Sequence, residues 1–128
     1  MRRLLLDTHV LLWWLADAPS LGQHAREILS DARHEVYVSA ASGWEISIKK
    51  ALGKLEAPDD LETIIEEEGF QLLPISFFHG EQAGALPPHH ADPFDRMLVA
   101  QAQAEGLVLV TADTTIPKYG VRTLTAAR

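Results

Sequence analysis

Cysteine is absent from all 128 residues, which excludes disulfides, thiolate metal sites and a cysteine nucleophile. Long hydrophobic runs are absent too. The longest, Val10 to Ala16, is too short to cross a bilayer. Met1 to Leu6 opens like a leader, but Asp7-Thr8-His9 breaks the apolar run and no small-residue cleavage site follows, which argues against a signal peptide. Positive charge is scarce: 11 Lys and Arg face 18 Asp and Glu, a net charge of −7. That balance weighs against a generic basic nucleic-acid surface, yet it leaves open an acidic site whose bound cations reverse the local field. There is no internal repeat, linker or low-complexity tract. The remaining composition, 47% hydrophobic and 23% charged, is that of an ordinary globular chain long enough for a real core. We read residues 1–128 as one domain. A chain without cysteine is compatible with a reducing cytoplasm, and a cytoplasmic location is the expectation.

Punctuation along the chain predicts alternating strands and helices. Arg3–Leu6 reads as a buried strand, and Asp7-Thr8 as the cap of a helix over about residues 9–17. Ser20 and Gln23 form a capping-box pattern for a second helix reaching about Arg33. Glu35–Ser39 is rich in β-formers. Ser42 and Glu45 repeat the capping-box pattern for a helix to about Leu52, stopped by Gly53. An acidic helix follows from Pro58 to about Glu68, then a strand over residues 70–73, then a helix over about residues 76–86. Pro87-Pro88-His89-His90 reads as a loop. Asp92 at the N-cap and Pro93 at the first helical position open a helix to Glu105, which Gly106 ends. Strands over residues 107–110 and 121–124 complete the chain. The expectation is an α/β fold: a three-layer α/β/α sandwich around a mostly parallel sheet of four to five strands. The first helix is apolar on all sides, so one face should cover the sheet and the other should meet either a partner chain or further helices of the same domain.

Four carboxylates fall at element boundaries. Asp7 follows the first strand and Asp113 the fourth; Glu45 and Asp95 lie in the first turns of helices. In an open parallel sheet, strand ends and the starts of the following helices share one rim. Each acid has a plainer role available: Asp7 as a cap, Glu45 as the reciprocal partner of Ser42, Asp95 as a dipole-compensating residue, Asp113 as a turn residue. Asp92 fits an N-cap so well that a structural role is favoured. Gathered together, however, carboxylates repel unless a cation joins them, and a hard divalent metal is the simplest one.

The residues also resemble a family. Leu4-Leu5-Leu6-Asp7-Thr8-His9 is similar to the opening of a PIN-domain nuclease. Ser42 to Lys49, followed by Gly53-Lys54-Leu55, resembles the second motif of its VapC-like toxin branch. Asp92-Pro93-Phe94-Asp95-Arg96-Met97-Leu98-Val99-Ala100-Gln101-Ala102 resembles the third very closely, and Val110-Thr111-Ala112-Asp113 matches the fourth. One departure follows the fourth acid, where Thr114-Thr115-Ile116-Pro117 stands in place of an early aromatic residue. The resemblance implies a PIN-like fold and a metal-dependent ribonuclease, usually the toxin of a type II toxin–antitoxin pair. It also implies a homodimer blocked by a cognate antitoxin. Asp7, Glu45, Asp95 and Asp113 match its acidic quartet, Thr111 its threonine near the site, and Asp92 an accessory position of this branch.

The expected chemistry is hydrolysis of RNA with one or two Mg²⁺ or Mn²⁺ ions. Asp7 and Asp95 would be the principal ligands, with Glu45 and Asp113 acting directly or through water. Thr8 and Thr111 could orient water or phosphate. Lys49, four residues after Glu45 on the same helix face, either pairs with that acid or meets the RNA backbone. Arg96 either contacts phosphate or has a surface role, with the balance slightly toward phosphate. No membrane and no direct DNA binding by this chain alone is expected. Three other readings have weaker support. Adjacent His89 and His90 with Asp92 are poorly placed to share one zinc ion. A receiver-type phosphoacceptor domain needs an acid pair where the chain has Asp7-Thr8-His9. A catalytically silent PIN-like binding domain would not need an intact quartet.

Overall fold

The computed structural model describes all 128 residues. Five strands form one sheet: β1 (Arg3–Leu6), β2 (Glu35–Ser39), β3 (Gln71–Leu73), β4 (Val108–Thr111) and β5 (Thr123–Thr125). Their order is β3-β2-β1-β4-β5, and every neighbouring pair is parallel. Six helices connect them: α1 (Thr8–Leu15), α2 (Gln23–Ser30), α3 (Ala40–Ala51), α4 (Leu61–Glu67), α5 (Phe77–Ala85) and α6 (Pro93–Glu105).

Alternation along the strands creates two cores. Leu4, Leu6, Val36, Val38 and Val110 point to one face and pack with α1, α2, Ile46 of α3 and Ile65 of α4. Leu5 and Leu109 point to the other face and pack with Leu98, Val99 and Ala102 of α6. The result is the three-layer α/β/α sandwich the sequence predicts. Each leucine taken fully out of water contributes roughly 1.5–3 kcal/mol, so the central strand β1 anchors both layers.

Several boundaries differ from the sequence reading, each for a local reason. Helix α1 ends at Leu15 rather than near residue 17, because Asp17 turns to φ +50°. The Ser20–Gln23 capping box does not form; α2 starts after Gly22, with no side-chain cap. Its first amides are met instead by the returning chain: the N–H of Gly22 donates to Ala126 O at 2.8 Å and that of Ala25 to Arg128 O at 2.7 Å. A Cβ on Gly22 would collide with the Arg128 backbone, which explains the glycine. Ser39, not Ser42, caps α3, accepting the N–H of Ala41. Ser76 and His79 form a capping box at α5 that the sequence reading missed. A short 3₁₀ turn over Ile116–Tyr119 follows the fourth acid.

The apolar first helix is covered largely from within. Leu12, Trp13, Trp14 and Leu15 are half-buried against the first core. Trp14 donates its indole N–H to Glu68 at 2.8 Å and tilts against Phe70. Large apolar side chains stand exposed elsewhere, at Trp44 and Leu52 around α3 and at Phe77 and Phe78 on α5.

Candidate metal centre

Strand β1 is flanked by β2 on one side and β4 on the other, so the chain changes direction across the sheet between β1 and β4. A crevice at such a switch point, beyond the carboxyl ends of the strands, is where open parallel sheets bind ligands. Here it is a cleft of about 270 Å³ lined by Asp7, His9, Trp13, Asp95, Ala112 and Asp113. Three of the four predicted acids therefore share one opening.

Asp7 does two things there. Its Oδ1 accepts the N–H of His9 at 2.9 Å and so caps α1. Its Oδ2 accepts the Thr111 hydroxyl at 2.7 Å. Thr111 Oγ1 in turn accepts the N–H of Asp113 at 3.0 Å, which ties the ends of β1 and β4 together. The capping role and the site role of Asp7 are thus compatible rather than alternative. The exposed ring of His9 lies 3.6 Å from Asp7 Oδ1, and that contact raises its pKa.

Glu45 is 3% exposed and lies in the second turn of α3, because the helix begins at Ala40. The capping alternative for Glu45 falls with that shift, since Ser42 is engaged elsewhere: its hydroxyl lies 2.9 Å from that of Thr8. Thr8 is thereby buried in a contact between α1 and α3. Glu45 Oε2 accepts from Lys49 Nζ at 2.6 Å, while Oε1 is buried with no partner. Lys49 has its pKa raised by that hydrogen bond first, and further by the charges of Glu45, Asp92 and Asp95. The ion-pair alternative for Lys49 is the one formed.

Asp92 caps α6, accepting the N–H of Phe94 at 2.8 Å and of Asp95 at 3.3 Å. Asp95, in the first turn of α6, faces the cleft. Burial, then the charges of Asp7 and Asp92, push its pKa up to about 7, with Glu45 adding to the effect. Arg96 turns away from the cleft. Its guanidinium donates to the carbonyls of Ala83 and Leu86 at 2.9 Å and of Pro87 at 3.0 Å, so it clamps the loop before α6. That arrangement favours a structural role over the phosphate contact weighed from sequence.

Sequence reasoning weighed His90 only for a disfavoured zinc site with His89 and Asp92, and gave it no place beside the acids. Its Nε2 lies 3.1 Å from Asp95 Oδ2 and 3.0 Å from Asp113 Oδ2. The three groups lie within 4.8 Å of one another. The loop is fixed by Tyr119 of the 3₁₀ turn, whose hydroxyl accepts the His90 N–H at 2.8 Å. His89 points away and meets the Tyr119 ring edge-on, so the adjacent histidines share no site. Burial opposes a charged His90 ring, but the hydrogen bond to Asp113 and the charges of Asp95 and Asp113 outweigh it and raise its pKa. Burial likewise opposes ionisation of Asp113, but the N–H of Thr115 and the His90 ring lower its pKa overall. The available signal was position: a histidine two residues before the cap of the helix that carries Asp95.

The donor set fits a hard divalent cation. Three carboxylates converge on the cleft, one of them is pushed toward its neutral form by burial and by neighbouring acids, and a fourth holds an unpartnered buried oxygen. Oxygen ligands of this kind suit Mg²⁺ or Mn²⁺.

Comparison with known proteins points the same way. The family model described as the PIN domain matches residues 4–121. Ribonuclease VapC22 of Mycobacterium tuberculosis is 29% identical over 116 residues, which cover 88% of each chain. Among solved structures, a DNA-bound VapBC from Salmonella typhimurium superposes with a TM-score of 0.72 at 19% identity, covering 98% of both chains. VapBC2 from Rickettsia felis, bound to a promoter DNA fragment, gives 0.67 at 15% identity over 96% of this chain and 98% of that one. A toxin–antitoxin complex from Klebsiella pneumoniae gives 0.61 at 22% identity over 88% of both. At these identities the structural likenesses show a shared fold.

Proposed function

The chain belongs to the PIN-domain family, and on that premise we propose that it is a metal-dependent endoribonuclease of VapC type, the toxin of a toxin–antitoxin pair. The observation that carries this reading is the convergence of Asp7, Asp95 and Asp113 on one cleft at the switch point of the sheet. The similarity to Ribonuclease VapC22 supports RNA as the substrate.

Asp7 and Asp95 would hold the principal Mg²⁺ or Mn²⁺, with Glu45 and Asp113 completing a site for one or two ions. A divalent ion bound there would offset charge on the scissile phosphodiester and lower the pKa of attacking water. The chain's own residues do the positioning. Thr111 orients Asp7 through its 2.7 Å hydrogen bond. Lys49 balances the inner charge of Glu45. The Thr8–Ser42 contact sets the spacing between α1 and α3, and with it the depth of Glu45. Asp92 acts as an accessory by fixing the first turn of α6, from which Asp95 projects.

The toxin–antitoxin complexes among the structural neighbours support a cognate antitoxin as partner. The exposed apolar side chains Trp44, Leu52, Phe77 and Phe78 support a protein partner, a second copy of the chain included. The net charge of −7 supports assigning DNA contact to the partner rather than to this chain. No helix is long and apolar enough to cross a membrane, and we place the protein in the cytoplasm, with residues 1–128 as one nuclease domain.

The test is cleavage of defined RNAs by the wild-type protein and by Asp95→Asn, each with and without Mn²⁺. Cleavage that needs both the metal and Asp95 supports the reading. Equal cleavage by both proteins, or none by the wild type under any divalent ion, sinks it.

A further inference from the structure

The imidazole of His90 stands between two of the proposed ligands, and the metal chemistry set out above gives it no role. Its geometry is specific. Nδ1 accepts the backbone N–H of Asp92 at 3.1 Å. A neutral ring whose Nδ1 lone pair is engaged carries its proton on Nε2. Nε2–H is therefore a donor: it bonds Asp113 Oδ2 at 3.0 Å, while Asp95 Oδ2 lies 3.1 Å from the same nitrogen. For Nε2 to ligate a metal instead, the proton would have to move to Nδ1 and confront the Asp92 N–H.

Both oxygens of Asp113 are engaged. Oδ1 accepts the N–H of Thr115 at 2.7 Å and Oδ2 is held by His90. Hydrogen bonds to charged acceptors are among the stronger ones in proteins. A cation that recruits Asp113 through Oδ2 meets the Nε2–H dipole of the ring, aimed at that same oxygen.

We propose that His90 is a stand-in for the cation: its Nε2–H bonds Asp113 beside Asp95 in the metal-free protein and gives way when Asp113 joins the ion. This rests on the metal-dependent reading of the same cleft. His90 is accordingly a positioning residue that competes with the metal for Asp113, and not a ligand. It keeps the carboxylates gathered when no cation is bound, and it weakens cation binding by the strength of the contacts that must be broken. The half-buried loop that carries it leaves the ring about a fifth exposed, with side-chain exposure of 21%, so it has solvent to move into.

Calorimetric titration of Mn²⁺ into the wild type, His90→Ala and His90→Gln separates the possibilities. His90→Ala should bind Mn²⁺ on the order of tenfold more tightly than the wild type, the equivalent of one hydrogen bond to a charged group. His90→Gln keeps a donor at a similar reach and should stay near the wild-type affinity. Weaker binding by His90→Ala would make the ring a ligand or an organiser of ligands and overturn the proposal; unchanged binding would overturn it as well. Failure of the wild type to bind Mn²⁺ at all would instead remove the underlying reading, and this inference with it. Should His90→Ala not fold, imidazole nitrogen shifts of the wild type supply the test. They should report an Nε2-protonated ring both before and after Mg²⁺ saturation, with loss of its hydrogen bond to Asp113. An Nε2 that loses its proton when Mg²⁺ is added would overturn the proposal.

Discussion

The hydroxyl of Thr111 donates to Oδ2 of Asp7 at 2.7 Å across a separation of 104 residues. Asp7 Oδ1 meanwhile caps α1. Removal of the side chain and removal of its charge therefore have different consequences. Asp7→Ala should abolish RNA cleavage and also cost about 1 kcal/mol of stability through the lost cap. Asp7→Asn keeps a good capping group, so it should abolish cleavage while melting close to the wild type. Thermal denaturation alongside an RNA cleavage assay checks both. An Asp7→Asn protein that cleaves RNA normally would remove Asp7 from the site.

Asp95 carries a stability signature that needs no substrate. Its pKa is raised to about 7 by burial and by Asp7 and Asp92, so between the ordinary carboxylate range and pH 7 the folded protein holds a proton that the unfolded chain has lost. Stability contributed by that proton is present at low pH, declines as pH rises through this window and is gone above it. Asp95→Asn should remove the decline and raise the stability of the metal-free protein, by on the order of 1–3 kcal/mol at about pH 8 after allowing for solvent screening. Urea denaturation of both proteins at about pH 5 and about pH 8, without divalent ions, measures it. A variant less stable than the wild type at the higher pH would show that Asp95 is not electrostatically frustrated.

Lys49 is the hydrogen-bond partner of Glu45 Oε2, and Glu45 Oε1 has none. Lys49→Met leaves a buried carboxylate unpaired. The expected loss is roughly 1–2 kcal/mol, moderated because the lysine is partly in water. Mn²⁺ should restore more stability to this variant than to the wild type, since the ion supplies the missing positive charge. Melting temperatures with and without Mn²⁺ provide the comparison, and equal metal-induced shifts would count against Glu45 as part of the centre.

Arg96 clamps the carbonyls of Ala83, Leu86 and Pro87. Arg96→Ala should destabilise the protein by about 1–3 kcal/mol, because several carbonyls, two of them part-buried, lose a charged donor. Under conditions where the variant remains folded, its KM for RNA should stay within a small factor of the wild type. A large rise in KM with unchanged stability would restore the phosphate contact.

These outcomes bear on how much the sequence reveals. The strands were legible because short apolar runs bounded by turns leave few alternatives, and α6 was legible because Asp92, Pro93 and Gly106 mark both of its ends. The sheet topology then brought Asp7, Asp95 and Asp113 to one rim, as their positions at element ends predict. What failed was register at caps. Ser39 and Ser42 are both suitable residues three positions apart, and the choice between them follows from Thr8, a contact 34 residues away that holds the Ser42 hydroxyl. His90 was illegible for the same reason. Its partner Asp113 lies 23 residues downstream and approaches only because the β4 end packs beside the loop. Local patterns specify elements, whereas long-range hydrogen bonds decide which of two equivalent side chains is engaged.

The adjacency of β1 and β4 also has a kinetic consequence. It joins Leu4–Leu6 to Val108–Val110, with most of the chain looped between them. Closing so long a loop is entropically costly and slow compared with forming a helix or a short βα unit. Asp7 and Asp113 belong to opposite sides of that closure. The carboxylate cleft therefore cannot form until β4 has docked beside β1. A chain that has collapsed but not yet docked β4 carries all four acids and no cleft in which they meet.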